Sequence, residues 1–127
     1  MLEADAIRQA ILEYVYAGLQ LHTPTGKEFR LKSVEPDRLV FWVGTGFPVY
    51  LKLACINDLV DAFQQVSVGH WMRIGSVHGK ASPVTLDYVL QKHSGGTSVA
   101  SYFAPVLEYA KVAEINRKRP ARIRLKR

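Results

Sequence analysis

The chain has 127 residues, enough for one domain or for two small subdomains that share a core. Its 48% apolar and 22% charged residues lie near the average for folded proteins, which excludes wholesale disorder. The lone cysteine, Cys55, excludes an intramolecular disulfide and a zinc site built on paired cysteines. The first residues are acidic and no window approaches the roughly 18 apolar residues of a membrane span, so we expect a cytoplasmic protein without a membrane partner.

The positive charge is concentrated at one end. Residues 111–127 contain eight basic residues and one acid, a net charge of +7, whereas the whole chain carries +6. Residues 1–110 therefore sum to −1. A local cationic patch on a near-neutral body is typical of proteins that bind a phosphate backbone.

The first half of the sequence predicts a helix followed by a small antiparallel meander. Apolar residues recur at steps of three and four over residues 3–17, and Gly18 ends the pattern. Apolar and polar residues then alternate in short stretches separated by turn residues. These stretches predict four strands, around residues 19–23, 29–33, 39–43 and 49–53. One polar face along them predicts a sheet that is covered on one side only.

The second half predicts a different order of elements. Asn57 is a candidate N-cap for a helix that runs to about residue 66, and a short strand follows within residues 70–76. A Ser82-Pro83 start predicts a helix to about residue 93, and a further helix spans residues 98–110 with a kink at Pro105. The expected fold is α+β, with an N-terminal subdomain (1–54) packed on a C-terminal one (55–127).

The last residues, EINRKRPARIRLKR (114–127), are compatible with a disordered tail or with a folded hairpin. Apolar Ile115, Ile123 and Leu125 alternate with basic residues, and a solvated tail has no use for this alternation. We therefore predict a β-hairpin that displays its cations at the loop.

The order helix, strand, helix, turn, helix, strand, basic loop, strand resembles the winged-helix variant of the helix-turn-helix fold. In this resemblance SGGT (94–97) is the turn, residues 98–110 are the recognition helix, and residues 116–121 are the tip of the wing. The resemblance implies a non-enzymatic protein that binds double-stranded DNA in a regulatory or accessory role, such as transcription regulation. The candidate binding residues are Thr97, Ser98, Ser101, Tyr102, Lys111, Arg117, Lys118, Arg119, Arg122 and Arg124.

The predicted recognition helix has few side chains that read bases. Its expected outward residues are Ser98, Ser101, Tyr102, Pro105, Glu108 and Lys111. Bidentate Arg, Asn or Gln contacts usually specify a base, so the sequence favours contacts to phosphates over base readout.

Three alternatives remain open from the sequence. The basic hairpin could dock on an acidic protein within a nucleic-acid-processing complex. Trp42 and Tyr50 could instead lie among Arg30, Lys32 and Lys52 on the open face of the first sheet and bind RNA or a single strand. Trp42 or the kinked helix could also support a homodimer.

Other patterns carry little chemistry. GSVHGKA (75–81) lacks the glycine spacing and the hydroxyl of a phosphate-binding loop. His22, His70, His78 and His93 lie far apart, Cys55 is expected to be buried, and Asp58 and Asp61 suit the start of a helix. We predict no catalytic residues, no metal site and no cofactor.

Overall fold

The structure is a computed structural model that describes residues 3–44, 47–65, 71–75 and 85–126, with the side chain of Phe47 excepted. It confirms the α+β class, because helices are combined with antiparallel sheets. The elements in chain order are α1 (Ala4–Tyr14), β1 (Gln20–His22), β2 (Glu28–Val34), β3 (Arg38–Val43), β4 (Phe47–Lys52), α2 (Cys55–Gln65), β5 (Met72–Arg73), α3 (Leu86–Gln91), α4 (Ala100–Tyr109), β6 (Ala113–Asn116) and β7 (Arg122–Leu125).

Strands β1 to β4 form the predicted four-stranded antiparallel meander in sequence order. Its inner face is buried because apolar residues occupy every second position, as with Phe29 and Leu31 on β2 and Leu39 and Phe41 on β3. The residues between them are exposed or half-buried. The sheet therefore keeps one open face, as the alternation predicts.

The end of α1 and the start of α2 differ from the prediction. Helix α1 ends at Tyr14 rather than near residue 17, because the next residues pair with β2: Gly18 N–H donates to Leu31 O, and Leu31 N–H donates to Leu19 O. Helix α2 starts at Cys55, so Asn57 lies in its first turn and is not the cap. The earlier start follows from burial, since Cys55 and Ile56 both belong to the core.

The start of α3 also differs. The Thr85 side chain caps it by accepting a hydrogen bond from Tyr88 N–H. The predicted Ser82-Pro83 start lies outside the described residues, as do His70, His78 and most of the loop GSVHGKA.

Elements α2 to β7 follow the predicted order, and the three strands form a second sheet in the order β5-β7-β6. Strand β7 lies in the centre and pairs antiparallel with both neighbours. The predicted terminal hairpin is therefore confirmed. Its apolar register runs from Met72 through Ile123 to Ile115 and faces the core.

One hydrophobic cluster runs through both halves of the chain. Helix α4 crosses it with most of its residues buried, among them Phe103, Pro105 and Leu107, and the Tyr102 ring meets Phe29 on the first sheet. Among the described residues, no helix has the length and apolar character required to cross a membrane. The division at residues 54–57 remains a prediction.

Candidate nucleic-acid interface

The hairpin of β6 and β7 has an apolar face and a basic face. Ile123 is fully buried while its neighbours Arg122 and Arg124 lie on the opposite side, because successive side chains of a strand point to opposite faces. Burial of the apolar face therefore fixes the orientation of the basic face. The paired register places Arg122 beside Asn116, and Arg124 beside Glu114.

Strand β5 adds a cation to this face that the sequence did not reveal. Arg73 lies directly across from Arg122 on the neighbouring strand. Like charges opposite each other destabilise a sheet, and within the described part of the chain neither arginine forms a salt bridge. An anion between them would remove the repulsion.

Arg124 is held more firmly than its neighbours. Its Nη2 donates to Glu114 Oε2 at 3.2 Å, and its guanidinium carbon lies 4.6 Å from the centre of the Trp71 ring. Such stacking on an aromatic face stabilises a guanidinium while leaving its edge able to bind phosphate.

The wing tip, which we define as residues 116–121, presents cations of two kinds. Asn116 Oδ1 accepts a hydrogen bond from Lys118 N–H at 3.0 Å, which fixes the turn locally. Lys118 and Arg119 are exposed, and neither has an acidic partner among the residues described. Arg117 is different, because both of its terminal nitrogens reach Glu108 on α4, at 2.8 and 2.7 Å. Hydrogen bonding to Glu108 raises the pKa of Arg117.

The predicted residues at the start of α4 are less available. Ser98 donates its hydroxyl hydrogen bond to Oδ1 of the buried Asp87 at 2.7 Å. Thr97 is exposed in the turn, where its carbonyl oxygen accepts from the Ser94 hydroxyl at 2.5 Å. Ser101 is exposed on the helix.

Tyr102 and Pro105 do not have the outward orientation that the sequence suggests. The Tyr102 ring is half-buried, with its centre 5.2 Å from Phe29 and 6.1 Å from Phe41, and Pro105 is buried. Both differences have one cause: α4 packs against the first sheet as well as against β6, which leaves it little surface for a DNA groove.

Lys111 occupies a backbone conformation that normally takes glycine. Its φ is +66°, and it closes α4 with a Schellman motif: Lys111 N–H donates to Glu108 O, and Val112 N–H donates to Leu107 O. Its ammonium lies 5.2 Å from the centre of the Tyr14 ring. A lysine in this position carries backbone strain that glycine would avoid.

The structure thus brings together part of the predicted set and separates the rest. Arg122, Arg124 and the wing tip share one sheet and its loop, and Arg73 joins them. Ser98 and Tyr102 are engaged in internal contacts away from this sheet.

In the described part of the chain, Cys55 is buried and His93 serves as an internal contact. Burial of the Cys55 thiol raises its pKa to about 12, which disfavours the thiolate and fits the predicted buried position. His93 Nε2 lies 2.7 Å from Asp58 Oδ2 and joins the end of α3 to α2. Within the described residues, His, Cys, Asp and Glu side chains do not gather in groups of three that could hold a metal ion.

Comparison with known proteins adds no relative: no family model, no curated protein and no solved structure matches the chain.

Proposed function

We propose that the protein binds double-stranded DNA, without catalysis, through the basic face of its second sheet and the tip of its wing. The observation that carries this proposal is the facing pair Arg73 and Arg122, two exposed or half-buried arginines without an acidic partner in the described structure. Phosphates are the partner that such a pair fits best, because each guanidinium offers several donors in one plane.

The order of elements supports a winged-helix assignment for residues 55–127. Helix, strand, helix, helix and hairpin follow in the expected order, and the first strand pairs with the last one. This assignment supplies the regulatory or accessory role that we propose, including transcription regulation. The division into subdomains 1–54 and 55–127 belongs to the same proposal.

The mode of binding that we propose relies on the wing rather than on helix insertion. The described surface of α4 offers few polar groups beyond Ser101, Glu108 and Tyr109, whereas bases are specified by bidentate donors and acceptors. The protein should therefore bind duplexes of unrelated sequence with similar affinity.

Fluorescence anisotropy with two short duplexes of unrelated sequence tests this proposal over a series of salt concentrations. The double variant Lys118→Ala/Arg119→Ala removes two exposed cations from the wing tip. Each phosphate contact contributes about −0.9 to the slope of log K against log salt, so the slope should become less steep by about 1.8. Arg73→Ala should make the slope less steep by about 0.9.

The matched control is Lys27→Ala/Lys52→Ala, which removes the same charge from exposed residues that lie outside the second sheet and the wing and form no salt bridge in the described structure. It should retain the slope of the wild type. Absence of duplex binding by the wild type at low salt, or equal slopes in the wing and control variants, would sink the proposal.

A further inference from the structure

We propose that the open face of the first sheet is a second binding site, which takes an unpaired nucleic-acid strand by stacking its bases on Trp42 and Tyr50. The first observation is the exposure of these two rings, at 39% and 37% of their surface, on a sheet whose other face is buried. All four bases can stack on an exposed aromatic ring, so such a site does not depend on the nucleotide sequence.

The strand register places the two rings on the same face. Trp42 on β3 lies opposite Pro48 on β4. Tyr50 lies two residues beyond Pro48 on β4, opposite Val40. Diagonal neighbours of this kind are separated by about 7–8 Å. Successive nucleotides of an extended strand can bridge such a distance, so each ring can take one of two neighbouring bases.

Two shallow depressions mark the path of such a strand. One, of about 580 Å³, is lined by Arg30, Lys32 and Trp42, and the other, of about 400 Å³, by Lys32, Arg38 and Tyr50. They share Lys32, which lies at an irregularity in the pairing of β2 with β3 between Leu31 and Ser33. Each depression thus combines an exposed aromatic ring with two cations and one carboxylate.

The cations on this face are largely unpaired. Of the four basic residues on the open side of the sheet, only Arg38 has an acidic partner among the described residues, Glu35 at 3.3 Å. Arg30, Lys32 and Lys52 form no salt bridge there, while Glu28 lines the first depression and Glu35 the second. The Lys32 ammonium lies 5.1 Å from the centre of the Trp42 ring. A base that stacks on the Trp42 ring would displace the Lys32 ammonium from the ring face. The ammonium could then contact the phosphate of the bound nucleotide.

The charge of the face also disfavours a second copy of the chain as its occupant. A twofold interface brings the same patch of both subunits together, so the patch that carries Arg30, Lys32 and Lys52 would face a second patch of the same charge. An aromatic face rimmed by cations is complementary to a chain of bases and phosphates.

This site does not rest on the duplex-binding proposal, because it uses different residues on a different sheet. Anisotropy with a labelled 12-nucleotide oligothymidine, and with an oligouridine of equal length, tests it at low salt. Trp42→Leu removes the stacking ring and keeps an apolar side chain on the face. The loss of one stacked base should weaken binding about 5- to 150-fold.

Tyr16→Leu is the matched control, since Tyr16 is an exposed aromatic residue outside this sheet. It should bind like the wild type, as should Lys118→Ala/Arg119→Ala in the wing. Thermal unfolding of each variant shows that the fold is retained. Equal binding to both oligonucleotides supports recognition through bases and phosphates, whereas preference for the uridine strand supports an added contact to its 2′-hydroxyls.

Two results would overturn the inference. One is single-strand binding that Trp42→Leu leaves unchanged, or that the wing variant abolishes. The other is a dimer in light scattering that Trp42→Leu disrupts while single strands fail to bind. If single strands fail to bind but duplex binding is intact, the proposal of duplex binding through the wing is unaffected.

Discussion

Arg117 and Glu108 form a two-pronged salt bridge that ties the tip of the wing to helix α4. The pair neutralises one of the three consecutive cations of the wing tip. The charge that the wing tip could offer to the proposed DNA partner is therefore smaller than the sequence suggests. The bridge also brings a carboxylate close to the proposed phosphate path.

Glu108→Gln should release Arg117 and strengthen duplex binding. The freed guanidinium can contact a further phosphate, and the repulsive carboxylate is removed. The slope of log K against log salt should become steeper by about 0.9 in the anisotropy experiment. Glu13→Gln, which removes an exposed carboxylate from α1, is the control and should leave the slope unchanged. A weaker complex in Glu108→Gln would mean that the bridge positions the wing for binding.

Lys111→Gly should make the protein more stable and leave duplex binding unchanged. Glycine adopts a φ of +66° without the Cβ clash of lysine, so the free energy of unfolding should rise by about 0.5–1 kcal/mol in urea titrations. Lys111 lies outside the second sheet and the wing tip, and its ammonium faces the Tyr14 ring, so the salt slope should equal that of the wild type. Lys111→Ala, which removes the charge and keeps the strain, should keep the same slope without the gain in stability. A slope that is less steep by about 0.9 in both variants would add Lys111 to the interface.

The hairpin could be predicted because its information is local. Alternating Ile115, Ile123 and Leu125 lie within eleven residues, and pairing over a short loop follows from that pattern. The role of Arg73 could not be predicted in this way. It depends on the pairing of β5 with β7, two strands separated by about fifty residues, and nothing near Arg73 indicates its partner.

The sequence also could not predict how much of the α4 surface is exposed for contact with DNA. A helix with apolar residues on several sides is buried, and its mixture of Phe103, Val106 and Leu107 with Tyr102 indicates this in part. Which side faces the first sheet depends on contacts between distant elements. Tyr102 meets Phe29 and Phe41 only because α4 packs across the inner face of the sheet.

The stability of the protein should fall in acid partly because of Asp58. The hydrogen bond from His93, with a smaller one from Lys92, lowers the pKa of Asp58 below its ordinary value of 3.8. A carboxyl group with a lower pKa in the folded than in the unfolded state stabilises the fold above its unfolded pKa. That contribution is lost as the pH falls through the folded pKa.

Asp58→Asn should therefore show a flatter dependence of unfolding free energy on pH below about pH 4 than the wild type. Urea titrations between pH 2 and pH 6 would measure the difference. Asp61→Asn is the control, since Asp61 is exposed on the same helix. Parallel curves for Asp58→Asn and the wild type would contradict the proposed coupling to His93.

Asp87 should be the most sensitive carboxylate of the C-terminal half, because it is buried and ties α3 to the segment that precedes α4. It accepts hydrogen bonds from Ser98 Oγ at 2.7 Å and from Gln91 Nε2 at 3.2 Å. Asp87→Ala should lower the free energy of unfolding by about 1–3 kcal/mol, since it leaves both donors without their acceptor. The exposed Asp61→Ala should change it by less than about 0.5 kcal/mol.

The same variant tests whether the start of α4 takes part in DNA binding. Under conditions where Asp87→Ala is fully folded, its duplex affinity and salt slope should equal those of the wild type, because the proposed contacts lie on the second sheet and the wing. A gain in affinity that is lost again in Asp87→Ala/Ser98→Ala would show that the Ser98 hydroxyl, once released from Asp87, reaches a phosphate. In that case the start of α4 would belong to the interface, as the sequence pattern alone suggests.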